Sequence, residues 1–249
     1  IAPLAEQYGI RLILCYGLPP GGRRADATLE MQHKPELADF YVRMWEKIAR
    51  HCKGKRAVWA YDLINEPQQT TELPIDYRTL QKRAAEAIRR IDPETPVIVE
   101  ANLLASPEMF RFLEPLKIRN VIYQAHMYVP ADYTHATIGP YPGVLRGKLW
   151  NKEALREVLK PVLDFQKRHK ARIYIGEFSV RARAVGADRY LRDCIELFEE
   201  NGWDWTYHSF REAATWDVEK EWNGKTHVPS ADNPRKRVLL EALKRNTSR

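Results

Sequence analysis

Two glutamates close apolar stretches of this chain, and their positions are the first indication of chemistry. The stretches are Leu63-Ile64-Asn65-Glu66-Pro67 and Ile173-Tyr174-Ile175-Gly176-Glu177-Phe178. An apolar strand buries its body in a sheet and delivers its last residues to the sheet edge, where parallel barrels carry their active sites. Two carboxylates from separate strands are the minimum needed to cleave a glycosidic bond by acid/base and nucleophilic chemistry. The pair therefore indicates a carbohydrate-active enzyme.

Other polar side chains fall at the ends of the same or intervening strands. Asn65 lies beside Glu66, where its amide can donate to a sugar hydroxyl while the glutamate works on the glycosidic oxygen. His126 and Tyr128 share one face of a later predicted strand, because side chains two residues apart on a strand point the same way. An amide directly before the first glutamate, with an imidazole and a phenol between the two glutamates, favours a catalytic site over two unrelated surface glutamates.

Asp62 and Glu100 are the competing carboxylates. Asp62 lies deeper on its strand, which favours a buried partner for a cation or a hydrogen-bond donor. Glu100 is expected to support the sheet edge at the fifth predicted strand, residues 174–178, and contact with substrate is the lesser alternative.

The last predicted strand carries the candidate sugar platform. Trp203, Trp205 and Tyr207 alternate on one face, opposite Asp204 and Thr206. Trp205 lies nearest the edge, where an indole can stack on the apolar face of a sugar. Core packing is the alternative for this side chain.

Several other chemistries lack their motifs. There is no HExxH or His-x-His pattern, no G-x-S-x-G elbow and no Gly-rich phosphate loop after a strand. Cys15, Cys52 and Cys194 lie far apart without metal-type spacing, and their odd number argues against a complete disulfide framework, although one bridge stays open. We expect no metal and no cofactor.

Length and charge limit the remaining classes. The 249 residues can bury one large core, so we expect a single catalytic barrel domain over residues 1–249. The net charge of +7 comes from scattered basic residues, which favours a solvated surface over a nucleic-acid interface. No apolar run approaches the roughly 18 residues of a membrane helix. The chain opens at Ile1 without a signal-peptide pattern, as a processed protein or a fragment would.

Strand and helix patterns alternate along the chain. Strands are predicted over residues 12–16, 59–64, 97–100, 121–127, 174–178 and 203–207. Helices are predicted over residues 35–52, 75–91, 152–170, 188–201 and 234–243, with a short helix from Ser106. This order predicts a parallel α/β sheet, and both a doubly wound sheet and a (β/α)8 barrel fit it. A closed barrel needs eight strands, so a barrel would lack two βα units, which we place at the N-terminus.

The ordered set of motifs resembles glycoside hydrolase family 5, the cellulase-like barrels that use two glutamates. The set is Asn65-Glu66-Pro67, His126-Met127-Tyr128, Gly176-Glu177-Phe178 and Trp205-Thr206-Tyr207. The resemblance implies a (β/α)8 barrel whose first two βα units are absent here. It also implies a retaining mechanism, with Glu66 as general acid/base and Glu177 as nucleophile, roughly 5 Å apart.

The resemblance implies further roles and shows three departures. Tyr128 would orient Glu177, His126 would contact sugar or Glu66, and Asn65 would bind the 2-hydroxyl. The family's arginine beside the nucleophile has no counterpart, and Gly17 stands where a histidine is expected. His208 stands where a tryptophan is expected, so His208, Trp205 or Trp216 would form the floor of the sugar site.

The function implied is hydrolysis of β-1,4-linked glucan by a cellulase-like endoglucanase, with β-mannan or another β-glucan as the alternative substrate. The partner is then a β-linked polysaccharide or oligosaccharide, and the resemblance alone implies secretion. A non-hydrolytic glycan-binding barrel fragment is the alternative from another class. An oligomer or a second chain that supplies the missing strands is a further alternative, because an exposed sheet edge favours pairing.

Overall fold

Strands and helices alternate in the computed structural model, which describes residues 1–246. The strands are β1 (Leu12–Cys15), β2 (Val58–Asp62), β3 (Val97–Glu100), β4 (Val121–Met127), β5 (Gly143–Leu145), β6 (Lys148–Trp150), β7 (Arg172–Phe178), β8 (Asp204–Tyr207), β9 (Lys220–Trp222) and β10 (His227–Pro229). The longer helices are Pro35–Cys52, Tyr77–Ile91, Lys152–His169, Ala187–Glu200 and Pro234–Asn246. Short helical turns cover Ala2–Gln7, Glu30–Gln32, Asn102–Ala105, Pro107–Arg111 and Ala131–Thr134.

Strands β3 and β4 and the helix Pro35–Cys52 have the predicted bounds, but the prediction for β2 was wrong at its end. The strand ends at Asp62, and Leu63 and Ile64 continue as fully buried coil. The Tyr41 hydroxyl donates to the Leu63 carbonyl over 2.8 Å. The carbonyl that would extend the strand ladder is therefore bonded to a helix side chain instead.

The chain divides into two compact units, and strands β4 and β7 contribute to both. The first unit comprises Ile1–Gln124 and Phe165–Ile173. Its strands follow the order β1-β2-β3-β4, and their pairings are parallel. The register sets Cys15 opposite Asp62 and Glu100 opposite Gln124, so polar side chains collect where these strands end.

The apolar core of the first unit lies between its sheet and two helices. The helix Tyr77–Ile91 begins where the Asp76 carboxylate accepts from the N–H groups of Arg78 and Thr79, which are free of intrahelical partners. Trp45 is buried and packs edge-on against Tyr61, with ring centroids 5.9 Å apart. These contacts fix the strands that end beside Asn65 and Glu66.

The second unit comprises Ala125–Asp164 and the chain from Tyr174 onward, with the strand order β4-β7-β8. Strands β7 and β8 pair in parallel, and Phe178 packs edge-on against Phe198 of the helix Ala187–Glu200 at 5.1 Å. Two antiparallel hairpins, β5–β6 and β9–β10, occupy segments in which the sequence predicted no strands.

Two expectations about composition can be compared with residues 1–246. No disulfide joins Cys15, Cys52 and Cys194, which all lie within that range. No helix there has the length and hydrophobicity to cross a lipid bilayer.

Candidate active site

The coil after β2 presents Asn65 and Glu66 at a half-buried position, directly after two fully buried apolar residues. Glu66 has a φ of +52°, in the left-handed region that non-glycine residues rarely adopt. Such a conformation costs about 1–3 kcal/mol and persists only where the surroundings hold it. The backbone of Glu66 is therefore an enforced feature of this loop.

Hydrogen bonds hold the Glu66 backbone from both sides. Its N–H donates to Oε2 of Glu100 over 2.7 Å. On the other side, Nη2 of Arg23 donates to the carbonyl oxygens of Asn65 and Glu66, at 2.7 and 2.8 Å. A buried carboxylate and an exposed guanidinium thus bond the peptide groups that flank the Glu66 side chain.

Glu100 belongs to a buried polar cluster at the ends of β2, β3 and β4. The amide of Gln124 donates to Oε1 of Glu100 and, over 3.1 Å, to Oδ2 of Asp62. Gln81 pairs with both backbone groups of Glu100, accepting at 2.9 Å and donating at 3.0 Å. Burying a carboxylate is costly unless donors compensate it, and this cluster supplies them. The prediction that Asp62 is a buried hydrogen-bond partner is confirmed, since it is only 4% exposed.

Glu177 lies at the second-last position of β7 and is half-buried. The Tyr128 hydroxyl donates to Oε2 of Glu177 over 2.7 Å. Nδ1 of His126 and Nδ1 of His208 each lie 3.9 Å from the same oxygen. One phenol and two imidazoles thus surround this carboxylate, and the contact with Tyr128 is the one that the family resemblance implies.

Aromatic rings extend from Tyr128 to the segment after β8. Trp216 lies 6.0 Å from Tyr128, 5.0 Å from His135 and 6.4 Å from His208, measured between ring centroids. Trp205 instead packs edge-on against the fully buried Phe178 at 5.5 Å. The structure therefore places Trp216, rather than Trp205, among the residues around Glu177.

A buried arginine positions Trp216. Arg235 is 4% exposed and donates to the carbonyls of Trp216, Asp217 and Lys220, at 3.4, 2.9 and 2.7 Å. The Tyr207 hydroxyl also donates to the Trp216 carbonyl, over 2.6 Å. Burial raises the pKa of Tyr207, so the phenol keeps the proton that it donates.

Three of the seven predicted site residues, His126, Tyr128 and His208, thus lie around the carboxylate of a fourth, Glu177. Asn65 and Glu66 lie together on the constrained loop of the first unit. Neither Arg23 nor His135 was singled out from the sequence. The Gly21-Gly22 pair before Arg23 was an available signal, since adjacent glycines indicate a tight turn.

A parallel α/β sheet with a half-buried glutamate after one strand and another near the end of a second is typical of barrel glycosidases. The sequence comparison gives the family. Residues 26–214 match the model of the cellulase family, glycosyl hydrolase family 5, and the chain belongs to that family. It is therefore a glycosidase with the family's (β/α)8 barrel fold. Within residues 1–246, six strands of that fold are present, and they form one sheet in the order β1-β2-β3-β4-β7-β8.

Individual relatives agree with this assignment. Endoglucanase C of Acetivibrio thermocellus is 27% identical over 242 residues, covering 81% of this chain and 69% of that protein. A solved glycoside hydrolase superposes with a TM-score of 0.74 at 23% identity, over 98% of this chain and 79% of the other. The Thermotoga maritima endoglucanase solved with cellobiose gives a TM-score of 0.72 at 21% identity, over 96% and 74%. A structure of the same endoglucanase contains mannotriose.

Replacing Tyr128 with phenylalanine tests the contact with Glu177. The variant keeps the ring and removes the hydroxyl, so the carboxylate loses a donor that fixes its orientation. We expect kcat/KM on a β-linked oligosaccharide to fall roughly 10- to 100-fold, the scale of a small misplacement of a reacting group. Tyr133→Phe is the matched control, because the Tyr133 hydroxyl donates to the Val185 carbonyl and not to Glu177. Equal activity of Tyr128→Phe and the unmodified protein would contradict this role.

Proposed function

We propose that this protein is a retaining endo-β-1,4-glucanase in which Glu66 and Glu177 carry out the chemistry. Membership of the cellulase family supports the reaction type. The observation that carries the residue assignment is the pair of environments: a glutamate on a constrained backbone after β2, and a glutamate hydrogen-bonded by Tyr128 on β7. A single domain over residues 1–249 is part of the proposal.

The proposed reaction is a double displacement. A carboxylate oxygen of Glu177 attacks the anomeric carbon and forms a glycosyl ester as the glycosidic C–O bond breaks. Glu66 donates its proton to the departing sugar oxygen. Glu66 then accepts a proton from water, whose oxygen attacks the same carbon and releases Glu177. Both glutamates return to their starting protonation states, so the cycle closes.

Neighbouring residues would bind and orient the sugar. We assign Asn65 to the 2-hydroxyl, His126 to sugar or Glu66, and Tyr128 to the orientation of Glu177. Trp216 is the proposed platform, because it borders the residues around Glu177, with His208 beside it. Trp205 becomes the less favoured platform, because it packs on Phe178.

The substrate proposal rests on the relatives. Endoglucanase C of Acetivibrio thermocellus supports β-1,4-glucan, and the mannotriose complex of the Thermotoga maritima enzyme supports β-mannan as the second substrate. A polymeric substrate implies action outside the cell, so we propose that the protein is secreted.

The decisive variants are Glu177→Gln and Glu66→Gln, assayed by reducing-sugar release from soluble β-1,4-glucan and β-mannan. We expect Glu177→Gln to abolish release, because an amide cannot serve as the nucleophile. We expect Glu66→Gln to lower kcat by roughly 10²- to 10⁴-fold on these substrates, the usual contribution of a general acid.

Glu114→Gln is the control, since this residue is exposed and outside both polar clusters. Undiminished release by Glu177→Gln would contradict the assignment. Absence of release by the unmodified, folded protein would reject hydrolysis and favour a glycan-binding function.

Association in solution is a further part of the proposal. In the part of the chain that the structure describes, β1 pairs only with β2, and β8 pairs only with β7. Unpaired strand edges favour pairing with another chain. We expect light scattering after size-exclusion chromatography to give a mass above that of one chain. A monomer at every concentration tested would contradict association.

A further inference from the structure

We propose that Arg23 is a positioning residue for the general acid/base, acting through the backbone of Glu66. The inference rests on the proposed role of Glu66. It assigns to an exposed arginine, far from Glu66 in sequence, the task of holding the peptide groups from which the catalytic carboxyl group projects.

The contacts of Arg23 are concentrated on that backbone. Nη2 donates to the carbonyl oxygens of Asn65 and Glu66 at 2.7 and 2.8 Å, and Nη1 donates to the Ala27 carbonyl at 3.2 Å. Hydrogen bonds from a charged donor are stronger than neutral ones, and the planar guanidinium directs them along fixed lines. Arg23 thus joins two consecutive carbonyls of the catalytic loop to its own turn.

The turn that carries Arg23 is itself well fixed. Arg23 forms an antiparallel bridge with Leu29, which is fully buried, and the Arg24 N–H donates to the Thr28 carbonyl at 2.9 Å. Asp26 accepts from both the N–H and the hydroxyl of Thr28, at 3.0 and 2.6 Å. The side chain of Arg23 is therefore exposed, whereas the backbone behind it is anchored to the core.

The conformation of Glu66 explains why two residues, Glu100 and Arg23, form hydrogen bonds with its peptide groups. Its φ of +52° would relax toward negative values if the peptide groups were released, and the carboxyl group would move with them. Glu100 holds the N–H from the buried side, so its removal would also disturb the core. Arg23 donates to the Asn65 and Glu66 carbonyls from the solvent-exposed side of the loop, so it can be replaced without opening the core.

A displaced general acid has a specific kinetic signature. Expulsion of a sugar alcohol needs a proton, whereas expulsion of 2,4-dinitrophenolate does not, because that anion is already a stable leaving group. Loss of positioning at Glu66 should therefore lower kcat/KM for natural substrates and spare kcat/KM for the activated one, because kcat/KM reports the first chemical step, in which the leaving group departs. The second step, in which Glu66 accepts a proton from water, does not depend on the leaving group. Loss of sugar binding, or of the fold, would slow both.

The experiment compares Arg23→Ala, Arg23→Lys and Arg24→Ala on cello-oligosaccharides and on 2,4-dinitrophenyl β-cellobioside. Arg24 is the matched control, because it is the adjacent exposed arginine and pairs with Glu30 instead. For Arg23→Ala we expect kcat/KM on oligosaccharides to fall roughly 10- to 100-fold. On the activated substrate we expect less than about 3-fold loss of kcat/KM, while kcat falls because the displaced Glu66 is also the base for hydrolysis of the glycosyl-enzyme. Arg23→Lys should recover part of the loss, and Arg24→Ala should match the unmodified protein.

Equal losses of kcat/KM on both substrates would overturn the inference, and so would full activity of Arg23→Ala on both. Glu66→Gln is measured in parallel to separate this inference from the proposed function. If Glu66→Gln shows the leaving-group dependence and Arg23→Ala does not, only the role of Arg23 fails. If Glu66→Gln shows no such dependence, the assignment of Glu66 as general acid fails first.

Discussion

The hydrogen bond from the Glu66 N–H to the Glu100 carboxylate is the interaction on which the region around β2 depends. Glu100 is fully buried, so its carboxylate requires donors, and Glu66 and Gln124 supply them. Glu66 in turn adopts a left-handed backbone that only such contacts can maintain. The hydrogen bond between them compensates both the burial of the Glu100 carboxyl group and the strained backbone of Glu66. An apolar replacement of Glu100 would leave the Glu66 N–H without this acceptor, whereas a side-chain replacement at Glu66 would keep the N–H donor.

Glu177 is held by a different kind of contact from Glu66. This carboxylate stays half-buried, and its contacts come from neutral or titratable ring groups on Tyr128, His126 and His208. The aromatic residue beside them, Trp216, is held through its backbone by a buried arginine. One glutamate is thus fixed through its main chain and the other through its side chain. This difference fits the roles proposed above, in which Glu66 donates a proton and Glu177 attacks the anomeric carbon.

Much of the fold could be predicted because hydrophobic periodicity reports on burial. The bounds of β3, β4 and the helix Pro35–Cys52 follow from their apolar patterns alone. The end of β2 could not be predicted, because it depends on the Tyr41 hydroxyl, which lies 22 residues away along the chain. The hairpins β5–β6 and β9–β10 have strands of only three residues, which are too short to show a period.

Likewise, only part of the candidate site could be predicted from the sequence. Glu66 and Glu177 could be predicted because the ends of apolar strands mark the sheet edge, and the motifs around them carry the family resemblance. Arg23 could not, because its partners are 42 and 43 residues away and a Gly-Gly-Arg-Arg segment resembles ordinary surface charge. The alternation on β8 placed Trp205 correctly on a strand face. It could not show that Phe178 covers that face, or that Arg235 fixes Trp216 elsewhere.

The stereochemistry of hydrolysis tests the central claim most directly. Proton NMR recorded during the first minutes of cello-oligosaccharide cleavage distinguishes the anomer released by the enzyme from the one formed later by mutarotation. A double displacement through Glu177, with Glu66 as acid and then base, predicts that the β-anomer appears first. First appearance of the α-anomer would show inversion and would contradict the assignment of Glu177 as a nucleophile.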